Sequence, residues 1–299
     1  MTVRYDIVHT TIYSYREPVR FGEHRVMFRP RDSHDLRVLA TDLQVSPEAS
    51  VRLIQDPHSN SIAIVQPLAE AAELRITCSF TIEHAHSQNL ELPLDPAAER
   101  FPFAYSVAER FDLEHYLRPH HDDPRGELTD WARQFIRTDG PTHTRELLVA
   151  MNQHIRDHFS YAAREDEGTQ GPLETLAKGS GSCRDFALLM MEAARRLGIA
   201  TRFVSGYLYD PALDDAAAPG GGAAATVGAG STHAWLQAYL PGAGWLPFDP
   251  TNNLLGGNTL IRVGVAREPQ QAAPVSGTWF GAADAYLGMD VQVQVQRVG

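Results

Sequence analysis

Three residues of this chain have types and surroundings that could do covalent chemistry: Cys183, His233 and Asp249. Cys183 follows the turn-forming run Gly179-Ser180-Gly181-Ser182 and precedes the apolar run Phe186-Ala187-Leu188-Leu189-Met190-Met191. That pattern predicts a helix with the thiol in its first turn, where unpaired amides and the helix dipole favour negative charge. A free cysteine has a pKa of about 8.5, and such a placement lowers it toward the nucleophilic thiolate. Position alone leaves a buried structural cysteine as the alternative. A thiolate nucleophile also needs a base, and the base needs an orienting group. His233, in Ser231-Thr232-His233-Ala234-Trp235, stands at the start of a predicted strand. Asp249, in Gly244-Trp245-Leu246-Pro247-Phe248-Asp249, stands at the end of the next one. The turn signal Pro241-Gly242-Ala243-Gly244 joins the two runs as a hairpin. A hairpin sets the start of one strand beside the end of the next, so the Asp249 carboxylate can accept from a His233 N–H.

Neighbouring residues have plainer readings. Asp185 suits the first turn of the helix electrostatically, a structural role. Trp235, two residues after His233, shares its strand face and either shields the pair or packs. His120-His121-Asp122-Asp123 has metal-ligand types, but no regular spacing to further ligands, and reads as a solvated loop.

The elements that must hold these residues divide the chain in two. Residues 1–95 are β-rich: Val3, Tyr5 and Ile7 alternate with polar neighbours, Pro18 ends the first run, and short strands with turn signals follow. This predicts an N-terminal antiparallel β-sandwich, with Cys78 as a small core residue on a strand. Residues 96–125 are a Pro-rich connection. Residues 126–299 form an α+β domain in which helices pack on an antiparallel sheet. Leu147, Leu148, Met151, Ile155 and Phe159 line one helix face. The tail Val291-Gln292-Val293-Gln294-Val295 alternates as a strand does. The Gly/Ala-rich stretch 211–231 is too small-sided for a core and ends two residues before His233. It is a loop that either covers the site or is a tolerated surface insertion.

The chain of 299 residues carries 43% hydrophobic and 21% charged residues, enough to bury a full core. A net charge of -11 argues against a nucleic-acid or anionic-membrane partner. Cysteine occurs only at 78 and 183, with no C-x-x-C metal pair and no disulfide framework, and the N-terminus shows no signal peptide. A cytoplasmic protein without cofactor or metal is expected.

The segments Gly181-Ser182-Cys183-Arg184-Asp185-Phe186, His233-Ala234-Trp235-Leu236-Gln237-Ala238-Tyr239 and Gly244-Trp245-Leu246-Pro247-Phe248-Asp249-Pro250-Thr251-Asn252, in that order, resemble the transglutaminase-like core of bacterial thiol enzymes, part of the papain-like superfamily. The segment from Tyr5 through Arg31 resembles the β-domain that precedes this core in one bacterial family. The resemblance implies Cys183 as nucleophile, His233 as general base and acid, and Asp249 as orienter. Tyr161 resembles the aromatic that precedes the catalytic cysteine; with Trp235 it is the candidate for substrate or oxyanion contact, a wall or core tyrosine being the alternative. The implied activity is cleavage of peptide or side-chain amides through a thioester, with hydrolysis favoured because no calcium-loop spacing is recognisable. The alternatives are transamidation to an amine and a non-catalytic peptide-binding module.

Overall fold

The computed structural model describes residues 2–85, 91–163, 168–213, 226–256 and 259–298. Its N-terminal part is built around one long strand, β1 (Thr2–Val26). Along β1 the side chains of Val3, Tyr5, Ile7, His9 and Thr11 turn inward alternately, so the predicted apolar face continues into two polar residues. The strands β2 (Leu36–Ser46), β3 (Ala49–Gln55), β4 (Ser61–Pro67) and β5 (Ala71–Ala85) complete an antiparallel sheet of order β2-β5-β1-β4-β3. The first half of β1 pairs with β5, and its second half pairs with β4. The sheet therefore curls: a single strand serves both of its halves. Pro18 does not end β1. It lies inside a register shift between Ser14 and Val19, where the ladder is interrupted and a residue without an N–H costs nothing. Cys78, on β5, is buried in this core as expected.

Between this sheet and the helices lie β6 (Arg100–Phe101), α1 (Val107–Asp112) and α2 (Glu114–Leu117). They are followed by α3 (Glu127–Arg133), β7 (Thr142–His143), which pairs with β6, and α4 (Thr144–His158). On α4, Leu147, Leu148, Met151 and Ile155 are buried, the face that their spacing predicts. Next come β8 (Ser160–Tyr161), α5 (Pro172–Lys178), β9 (Ser180–Gly181) and α6 (Cys183–Arg196). A second antiparallel sheet, order β12-β11-β10-β13, is made of β10 (Thr201–Leu208), β11 (Thr232–Leu240), β12 (Gly244–Phe248) and β13 (Leu260–Ala266).

Helix α6 is the centre of the helical part of the molecule: every residue of it except Arg184 and Arg196 is buried. Leu189, Met190 and Ala193 pack with Leu147 and Met151 of α4 and with Leu236 and Phe248 of the sheet. A separate core unites the N-terminal sheet with Tyr207, Tyr209, Ile261 and Val263, so the second sheet is packed against both the helices and the first sheet. The last two strands, β14 (Val275–Phe280) and β15 (Tyr286–Arg297), follow the second sheet in sequence, yet they pair with β1. No helix among the described residues is long and apolar enough to cross a membrane.

Candidate active site

Cys183 is the first residue of α6, and Ser182 is its N-cap. Its amide is thus one of the first-turn N–H groups that have no acceptor within the helix. The loop before it is held by Asp185. This buried carboxylate accepts from Ser182 N (2.8 Å), Ser182 Oγ (2.9 Å) and Gln170 N (2.7 Å). The capping box gives Asp185 the structural role its position predicts. The short parallel pair of β8 with β9 sets Tyr161 level with Gly181, two residues from the thiol.

His233 is the second residue of β11 and Asp249 follows β12, and the β11–β12 ladder brings them together as the hairpin reading requires. His233 Nε2 lies 2.8 Å from Asp249 Oδ2, and both side chains are wholly buried. The carboxylate also accepts from Thr251 N at Oδ1 (3.0 Å) and from Asn252 Nδ2 at Oδ2 (3.0 Å). A buried carboxylate needs such donors to stay ionised. Burial pushes Asp249 up, but the His233 charge and these hydrogen bonds hold it below the usual carboxylate range. On His233, burial opposes protonation, but the Asp249 charge and hydrogen bond, with the thiol, raise the ring to about 10. His233 Nδ1 has no hydrogen-bond partner among the described residues. The ring's remaining interaction is with Cys183. Burial raises the thiol, but the neighbouring His233, then the Arg184 charge, bring it below its ordinary value. The three groups can therefore hold a thiolate beside an imidazolium, with a carboxylate behind it.

The two remaining predicted residues stand in different places. Tyr161 is 41% exposed, beside the thiol, and burial followed by the charges of Cys183 and Asp185 pushes its hydroxyl up. It stands at the rim. Trp235 is 1% exposed and stacks on the His233 ring (6.0 Å between centroids, 27° between planes). Its indole is packed with Val204, Leu208, Leu260 and Val265, so it supports the histidine from beneath rather than lining a cleft. Gly206, paired with His233 across the ladder, makes room for it: a Cβ there would lie 2.8 Å from Trp235 Cη2 and 2.1 Å from the Ile261 carbonyl oxygen.

The loop of His120-His121-Asp122-Asp123 is not simply solvated. The amides of His120 and His121 donate to buried Glu192 (3.1 and 3.0 Å), and Asp123 pairs with Arg196 (3.3 Å). It is strapped onto α6 by partners some seventy residues away, which no local pattern reveals. Two further residues at the site escaped sequence reasoning: Gln170, whose backbone fixes Asp185, and Asn252. The Asp-x-Thr-Asn turn after β12 carried a signal for the second, since Asp readily accepts from the amide two residues on.

With this geometry in hand, comparison with known proteins is informative. Residues 129–250 match the transglutaminase-like superfamily, a span that contains Cys183, His233 and Asp249. Residues 5–83 match the bacterial transglutaminase-like N-terminal region, which corresponds to the curled sheet from β1 to β5. An uncharacterised protein of Mycobacterium leprae is 27% identical over 303 residues, 99% of this chain and 99% of its own length. One from Mycobacterium tuberculosis H37Rv is 27% identical over 307 residues, 98% of this chain and 93% of its own. The crystal structure of a candidate cysteine protease from Cytophaga hutchinsonii has the same fold, with a TM-score of 0.72 at 18% identity over 100% of this chain and 92% of that one. The chain thus carries a transglutaminase-like core at residues 129–250, preceded by a bacterial transglutaminase-like N-terminal region at residues 5–83.

Proposed function

We propose that the protein is a thiol-dependent acyl-transfer enzyme that cleaves peptide or side-chain amides of peptide or protein substrates. The observation that carries this reading is the buried His233–Asp249 contact of 2.8 Å, with the other side of the imidazole left to a thiol of lowered pKa. The Cys183 thiolate adds to the amide carbonyl. The Cys183 amide, at the start of α6, donates to the oxyanion. Imidazolium His233 gives its proton to the departing amine as the C–N bond breaks and a thioester forms. Water, deprotonated by His233, then attacks the thioester; the acid product leaves and the thiolate returns. Asp249 holds the ring orientation throughout and stabilises its charge. A primary amine in place of water gives transamidation with the same residues, so acceptor access decides between the two outcomes. A peptide-binding module would not need a thiol, an imidazole and a carboxylate buried together. Both cysteines are free thiols, which suits a reducing compartment.

The test is alkylation by iodoacetamide from about pH 5 to about 9, located by mass spectrometry, in the parent and His233→Ala proteins. Fast modification of Cys183 below about pH 7, slowed by the histidine change, is expected. Modification that tracks an ordinary thiol in both proteins would overturn the reading. Amide turnover with and without an added amine then identifies the acceptor.

A further inference from the structure

The catalytic pair is covered. Cys183 is 8% and His233 1% exposed, so the amide of a peptide or protein substrate has no room to seat against them in this conformation. The segment 226–231, the end of the Gly/Ala stretch, lies against the histidine. Gly228 lies against the imidazole: a Cβ built on it would sit 2.6 Å from His233 Nδ1. Its backbone has φ of +92°, a left-handed conformation that glycine adopts without strain. This main chain occupies the approach to the nitrogen that would hand a proton to the departing amine.

We infer that Asn252 is a positioning residue that locks the segment 226–231 over His233 and Cys183, so that substrate enters only when this strap lifts. The inference rests on the proposed roles of Cys183 and His233. Asn252 grips the strap at both polar groups of one residue: Oδ1 accepts from Val227 N (2.9 Å) and Nδ2 donates to Val227 O (3.0 Å). The same Nδ2 donates to Asp249 Oδ2 (3.0 Å), the oxygen that also holds His233 Nε2. One side chain thus joins the strap to the orienting carboxylate. The other fixings are backbone contacts at the ends. Thr226 N donates to buried Asp210 (2.9 Å), and Val293 N of β15 donates to the Gly230 carbonyl (3.3 Å). Asn252 is therefore the central fastening, adjacent to Gly228. When the strap lifts, Asn252 loses two hydrogen bonds and its amide is left to Asp249 alone, which ties access to the electrostatics of the triad.

The experiment compares two reagents of one chemistry, iodoacetamide and a fluorescein-linked iodoacetamide, on the full-length protein at one pH. Asn252→Ala removes the grip, and the bulky-to-small rate ratio at Cys183 is expected to rise about tenfold over the parent, since each lost hydrogen bond is worth severalfold in an opening equilibrium. Cys78, buried in the N-terminal sheet, is the internal control. A ratio that rises while Cys78 stays unmodified supports the lock, because general loosening would expose both thiols. Should Asn252→Ala expose both thiols, Gly228→Ala decides, since its methyl lifts the strap without touching the grip. A rise at Cys183 alone supports the inference, and an unchanged ratio overturns it. Amide turnover by the parent is read separately. A raised ratio in a protein that turns over no amide at any strap state would overturn the enzyme reading and leave the lock standing.

Discussion

His9 gives the fold a sharp dependence on acid. It is wholly buried where the N-terminal sheet meets the second sheet, with Nδ1 2.8 Å from the Tyr207 hydroxyl and Nε2 3.1 Å from Thr11 Oγ1. The ring centroid lies 3.8 Å from that of Phe28, with the planes tilted by 31°. Both nitrogens are satisfied while the ring is neutral, and burial pushes its pKa down to about 3. In the unfolded chain the same ring titrates near 6.5. Between these values the unfolded chain binds a proton that the folded chain does not, so stability is lost as the pH falls. The slope approaches about 1.4 kcal/mol per pH unit, which amounts to about 2 kcal/mol between about pH 7 and pH 5. The assay is urea unfolding at both pH values for the parent and for His9→Gln, which cannot titrate but retains a donor and an acceptor. Groups common to both proteins, such as buried His24, cancel in the difference. The parent should lose about 2 kcal/mol more than the variant over this interval. Equal losses in the two proteins would refute the argument, since they would mean that His9 is protonated or solvated in the native state. Strand pairing links His9 to the candidate site. Tyr207 adjoins Gly206, which pairs with His233, and His9 pairs with Val293, whose amide holds the strap carbonyl of Gly230.

Two substitutions test the site itself. Asp249→Asn removes the charge that raises His233, so the imidazolium stabilises the thiolate less. The midpoint of the pH profile for Cys183 alkylation should move up by about one unit or more, and an unmoved midpoint would show that the carboxylate only packs. Gly206→Ala places a methyl against the Ile261 carbonyl and Trp235; thermal or urea unfolding should show a loss of about 3 kcal/mol. A near-neutral result would mean that β10 and β13 can part there without cost.

Much of this protein follows from local pattern. Alternation in Val3, Tyr5 and Ile7 makes an inward-facing strand, and the spacing of Leu147, Leu148, Met151 and Ile155 makes a helix face, because both depend on backbone geometry over a few residues. The start of α6 at Cys183 is local too, since a small-residue turn, a Ser cap and Asp185 all lie within residues 179–185. So is the meeting of His233 with Asp249, because a short turn leaves a hairpin only one way to pair its ends. What the tertiary structure alone decided is everything that spans distant segments. It brings the thiol to the imidazole across fifty positions, and it buries Trp235 beneath that imidazole instead of beside a substrate. It carries β1 past Pro18 by giving the interrupted ladder a bulge, and it returns β14 and β15 to the N-terminal sheet. It lays Gly228 over Nδ1 with Asn252 as the fastening. A sequence states which residues can turn inward or bond locally; which inward faces meet is settled by how apolar surface is buried and buried polar groups are paired across the whole chain.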